Sequence, residues 1–93
     1  MADDSRVRER IAEIVGRPEN VTHDEIEWVM NQLQAKGYAV KKRKARHGHL
    51  WSVSDGTECA RFMVNVHNPG NKQVKQYSVA EFANAMIKLG WYD

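Results

Sequence analysis

Residues 38–66 read YAVKKRKARHGHLWSVSDGTECARFMVNV. The closing stretch, from Glu58 to Val66, carries the clearest pattern in the chain: Ala60, Phe62, Val64 and Val66 alternate with Cys59, Arg61, Met63 and Asn65. A period of two with one apolar side is that of a strand with one face buried. Just before it, Ser54-Asp55-Gly56-Thr57 is hairpin-turn chemistry, and residues 49–53 (His-Leu-Trp-Ser-Val) supply the strand on the far side of that turn. Further back, residues 45–48 (Ala-Arg-His-Gly) read as a second turn. Residues 38–44 read as a first strand, with Tyr38 and Val40 inward and Lys41 and Arg43 outward. Three successive strands joined by tight turns predict an antiparallel meander with one face buried and the other wet.

Outward from the meander the period changes to that of helices. Val7, Ile11, Ile14 and Val15 form one apolar stripe over residues 4–15, with Asp3, Asp4 or Ser5 to cap the start and Gly16 and Pro18 to end it. Residues 17–21 link to a second helix opened by Thr22, whose capping box with Glu25 is reinforced by Asp24. Ile26, Val29, Met30 and Leu33 mark its buried face, and Gly37 suits a left-handed C-cap. Trp28 lies off that stripe and is expected to cover the first helix. Residues 67–77 read as a loop turned by Pro69-Gly70, and Ser78 with Glu81 as a second capping box. The last helix buries Val79, Phe82, Ala83, Met86 and Leu89; Gly90 closes it and Trp91 folds back on Met86. The expectation is an α+β fold: an α-β-β-β-α core, the layout also seen in double-stranded-RNA-binding domains, with helices on one face of a three-stranded meander and an extra helix in front. Residues 1–21 are then a helical extension and residues 22–93 the domain.

Ninety-three residues allow one small domain with a modest core. A chain that is 42% hydrophobic and 28% charged is ordinary globular protein rather than a disordered one. No apolar run approaches the ~18 residues of a membrane span, and MADDSRVRER has no apolar segment behind it, so it does not read as a secretory signal. One cysteine, Cys59, cannot form an internal disulfide and excludes a Cys₂His₂ or Cys₄ zinc site. A cytoplasmic protein without a membrane partner is expected. The net charge of +2 conceals a division. Residues 1–35 hold four Arg against eight Asp/Glu, and residues 36–93 hold ten Lys/Arg against four Asp/Glu. A basic second half suits a polyanionic partner, with phosphate the commonest kind.

Five cations in six residues, Lys41, Lys42, Arg43, Lys44 and Arg46, can track a phosphate backbone. The competing reading is a solvated edge strand, for which one or two lysines suffice. Three of the four histidines, His47, His49 and His67, lie at or beyond strand ends near these cations. A neutral imidazole can take the proton of a ribose 2′-hydroxyl, a charged one can protonate the leaving 5′-oxygen, and Lys or Arg can stabilise charge developing on phosphorus. That chemistry needs no metal or other cofactor. His47-x-His49 with His67 also has the form of an open zinc site, but no carboxylate or thiol lies nearby in sequence, and no metal site is assigned. His23, in the first turn of the second helix, reads as a surface or capping residue. Cys59 faces away from the Ala60/Phe62 stripe with no basic partner and reads as inert.

From about Glu27 to Trp91 the chain resembles the HicA family of small toxin endoribonucleases. The resemblance lies in a helix ending Lys36-Gly37-Tyr38, a basic strand leading to His47-Gly48-His49-Leu50-Trp51, the Asp55-Gly56 turn, the strand end Val64-Asn65-Val66-His67, and a lysine-bearing loop before a helix closing on Leu89-Gly90. It implies a fold like that of double-stranded-RNA-binding domains, cleavage of messenger RNA through one histidine, and a HicB-type antitoxin as inhibiting partner. In the family the histidine follows Gly-Ser, with an aromatic three residues on. Here that spacing from Trp51 lands on Gly48, and His47 and His49 flank it. His49, at the strand start, is favoured as the catalytic residue and His47 is the reserve. The lysine cluster that opens the last helix of double-stranded-RNA-binding domains is absent from Val79-Ala80-Glu81-Phe82, and Lys72 and Lys75 are its nearest substitutes. The extra N-terminal helix can cover Trp28, form a homodimer or mask basic surface. Three functions follow: an RNA-cleaving enzyme, a nucleic-acid-binding module without catalysis, and a protein-interaction domain using the first helix and Trp28.

Overall fold

The computed structural model describes residues 2–68 and 71–93, in the order α1 (Asp4–Gly16), α2 (His23–Ala35), β1 (Ala39–Ala45), β2 (Gly48–Ser54), β3 (Cys59–Asn68), β4 (Asn71–Val74) and α3 (Gln76–Lys88). The fold is α+β, with three helices and one antiparallel sheet in the order β1-β2-β3-β4. The meander of the sequence reading is there, but it continues into a fourth strand where a loop was expected at 67–77. Asn71-Lys-Gln-Val74 pairs with the end of β3, Val66 opposite Val74, across an irregularity in β3. It is held on its other side by Val21 and Thr22: Val74 N–H donates to the Val21 carbonyl (2.8 Å), and Thr22 bridges Gln73. The turn assigned to Pro69-Gly70 lies outside the described residues.

Period-two burial produces the core. Trp51, Val53, Ala60, Phe62 and Val64 are buried on the face the helices cover, and Cys59 and Arg61 are exposed on the other. Phe62 meets Phe82 of α3 edge-to-face, ring centroids 5.6 Å apart. Val7, Ile11 and Ile14 of α1 are fully buried in the same apolar cluster as Ile26, Val29, Met30 and Leu33 of α2. The apolar stripe of α1 is therefore used within the chain. Arg10 of α1 stacks on Trp28, its guanidinium carbon 5.1 Å from the ring centroid.

The helix ends follow the sequence at most points. Asp3 accepts from the Arg6 N–H (2.9 Å), and the Thr22/Glu25 capping box forms. Gly37 and Gly90 adopt positive φ (104° and 81°), each with a bond reaching back five residues, Tyr38 to Leu33 and Trp91 to Met86. The second capping box does not form. Helix α3 begins at Gln76 with Lys75 as its cap. Fully buried Ser78 instead accepts from the Asn65 N–H (3.0 Å), and Glu81 accepts from the Met63 N–H (3.3 Å). Those N–H groups lie on the flank of β3 that β4 is too short to reach, and an unsatisfied strand edge outranks a helix start that water can solvate.

Candidate functional site

Residues directly opposite across an antiparallel pair share a face. Ser52 lies opposite both Lys41 and Arg61, and Leu50 opposite both Arg43 and Met63; both rows lie on the open face. Lys42, Trp51 and Phe62, and Lys44, His49 and Val64, form the rows on the helix side. The cationic run is thus split by parity between the faces of an edge strand. On the open face Lys41, Arg43 and Arg61, with Leu50 and Ser52, line a shallow depression of about 600 Å³. Arg61 was not among the sequence candidates, though its place opposite the Ala60/Phe62 stripe marks it as facing outward.

Among the described residues, Lys41, Arg43, Lys44, Arg46 and Arg61 take part in no ion pair, whereas Lys42 is bound to Glu27 and Lys72 to Asp24 (3.3 Å). Lys42 also lies over Trp51, 5.3 Å from the ring centroid. Lys75 sits at the start of α3, its ammonium 5.9 Å from the centroid of exposed Tyr77. Of the sequence-assigned phosphate contacts, then, Lys41, Arg43, Lys44, Arg46 and Lys75 make no ion pair among the described residues, while Lys42 and Lys72 each meet a carboxylate.

The β1–β2 turn is only Arg46-His47. Lys44, Arg46, His47 and His49 line a second depression, of about 260 Å³, around it. His47 is exposed and His49 partly buried. His67 is exposed on β3, beside Val66, whose N–H donates to the His47 carbonyl (2.9 Å). No ring contact joins His67 to either histidine among the described residues.

His49 instead packs against His23, ring centroids 5.2 Å apart and planes at 43°. His23 is half-buried at the first position of α2 and also lies 6.5 Å from the Trp51 ring. His23 Nε2, His49 Nδ1 and Trp51 Nε1 are buried with no hydrogen-bond partner. This cluster of α2 and β2 is not legible in the sequence, where His23 reads as a surface or capping residue. His23, Asp24 and Glu27 also present donor atoms within 4.8 Å of one another. Both carboxylates are already matched by Lys72 and Lys42, so the cluster has no net negative charge to draw a cation.

Both imidazoles are held below the ordinary histidine value of 6.5. Burial is the main cause in each, followed by the Lys42 charge; His23 also depresses His49, and Glu27 opposes both shifts. A group that binds its proton more weakly folded than unfolded contributes stability above the unfolded value and loses it as the pH falls through the folded one. The melting temperature is therefore expected to drop as the pH is lowered from about 7.5 through 6.5 and below, and to drop less in a His23→Ala/His49→Ala variant. Glu25 and Glu27, held below 4.5 chiefly by hydrogen bonds from Arg17 and Lys42, lose their contribution only at lower pH. A melting temperature unchanged down to about pH 5 would contradict the histidine assignment.

The chain matches no family model, no curated protein and no solved structure. No helix among the described residues is long and apolar enough to cross a membrane.

Proposed function

We propose that this protein binds RNA through its basic sheet face and cleaves it at the β1–β2 hairpin, as the HicA-like resemblance implies, on a core arranged like a double-stranded-RNA-binding domain. The observation that carries the reading is the distribution of unpaired cations. Lys41, Arg43 and Arg61 on the open face continue around the hairpin end into Lys44 and Arg46, which flank His47 and His49. In this reading His49, neutral at pH 7, takes the 2′-hydroxyl proton. The 2′-oxygen attacks phosphorus and the 5′-oxygen leaves, taking its proton from water, and His49 gives its own up to solvent; His47, on the same depression, is the reserve for that role. Lys44 and Arg46 hold the phosphate and stabilise its developing charge. A cell making such an enzyme needs an inhibitor, and a HicB-type antitoxin is the partner the resemblance implies.

The half-buried setting of His49, with Nδ1 shut away, favours a second reading: the same RNA-binding surface without catalysis.

Incubation of purified protein with labelled RNA in the presence of a chelator separates the two. Fragments ending in a 2′,3′-cyclic phosphate support cleavage; intact RNA with salt-dependent binding supports the second reading. For the surface itself, each lost phosphate contact lowers the slope of log affinity against log salt by about 0.7–0.9. A Lys41→Ala/Arg43→Ala/Arg61→Ala variant is therefore expected to reduce that slope by about 2–3. An unchanged slope would place the RNA elsewhere on the molecule.

A further inference from the structure

The start of α2 is anchored from three directions. Thr22 and Glu25 close the capping box, and the Arg17 guanidinium grips the Glu25 carboxylate. Val21 and Thr22 are tied to β4, while Asp24 and Glu27 reach Lys72 and Lys42. These anchors deliver the His23 ring onto His49, 5.2 Å between centroids, with His23 Nε2 and His49 Nδ1 both buried.

We propose that His23 is the positioning residue of the hairpin site: it fixes the His49 imidazole with one edge closed beneath α2 while the ring lines the depression shared with Lys44, Arg46 and His47. The inference rests on the RNA-cleaving reading and names a residue for it. Rings 5.2 Å apart leave no room for a phosphate between them, so His23 does not flank the scissile bond as a second acid or base. Its effect is on the state of His49. The charged groups facing the pair are Asp24 and Glu27 from α2, Lys42 and Lys44 from β1 and Lys72 from β4. The two carboxylates are already engaged by Lys42 and Lys72, so a proton added to either ring meets a partly desolvated surround in which Lys42 opposes it and neither carboxylate is free to offset that. At His23 the positive end of the α2 dipole opposes it as well. His49 is thereby kept as the neutral imidazole that can accept a proton at pH 7.

The test is an NMR titration of the His49 ring in wild type, His23→Ala and His23→Phe, together with the pH dependence of RNA cleavage. His23→Ala uncovers His49, and its midpoint is expected to rise, carrying the acid limb of the rate profile upward with it. Phenylalanine keeps the cover, and the His49 midpoint is expected to stay below the ordinary histidine value of 6.5. A His49 midpoint unmoved in folded His23→Ala overturns the inference. Should His23→Ala fail to fold, His23→Phe decides it: a midpoint at or above the ordinary value overturns it equally. Wild-type protein that cuts no RNA removes the catalytic reading, and the titration still decides whether His23 governs His49.

Discussion

His49→Ala is expected to lower RNA cleavage by about 10²–10⁴-fold, the usual contribution of a positioned general base. RNA affinity is expected to stay within a few-fold of wild type, because Lys44 and Arg46 beside it and Lys41, Arg43 and Arg61 on the open face are untouched. The fold has little to lose: His49 is only partly buried and makes no hydrogen bond through its buried Nδ1. Activity and affinity should therefore separate, which a general loss of folding would not allow. His47→Ala is the companion measurement. His47 is exposed in the turn, whereas burial and the Lys42 charge keep His49 unprotonated. If His47→Ala abolished cleavage and His49→Ala left it intact, the base would be His47. Cleavage undiminished in the double variant would remove both histidines from the chemistry.

The parts of the fold legible in the sequence were those decided by local pattern. The Ala60–Val66 alternation, the Asp55-Gly56 turn and the apolar stripes of the helices are each set within a few residues. The turn, for example, closes through Asp55 accepting from the Thr57 and Glu58 N–H groups (2.8 and 2.7 Å). Strand β4 has one buried apolar residue, Val74, and exists because Val21 and Thr22 on one side and β3 on the other satisfy its backbone. Ser78 and Glu81 carry a correct capping signature, yet the open flank of β3 takes their oxygens. The candidate site divides in the same way. That Lys41 and Arg43 face outward followed from alternation. That Lys42 and Lys72 each meet a carboxylate, and that His23 packs on His49, depends on contacts between elements far apart in the chain, to which a periodicity is blind.

Gly48 joins the two histidines, and its replacement by alanine is expected to be the most damaging single-methyl change on the sheet. Gly48 has no positive φ, so conformational freedom is not the reason. The reason is space. A Cβ at Gly48 would lie 1.8 Å from the Val64 carbonyl oxygen, 2.8 Å from its carbon and 2.9 Å from the Asn65 Cα. These are backbone atoms of the paired strand, not the end of a side chain that can swing away, so β2 must move off β3. Overpacking of this kind costs about 3 kcal/mol at the upper end of its usual range, a fall on the order of 15 °C in melting temperature for a domain of this size. The displacement would begin between His47 and His49 and draw both away from Lys44 and Arg46, so activity should fall further than the folded fraction does. Gly16→Ala is the control. A Cβ there meets nothing within 4 Å, and the position closes α1, so stability should be unchanged or up to about 1 kcal/mol higher. Equal melting temperatures for the two variants would mean that β2 and β3 do not approach so closely at Gly48, and the placement of both histidines would have to be redrawn with them.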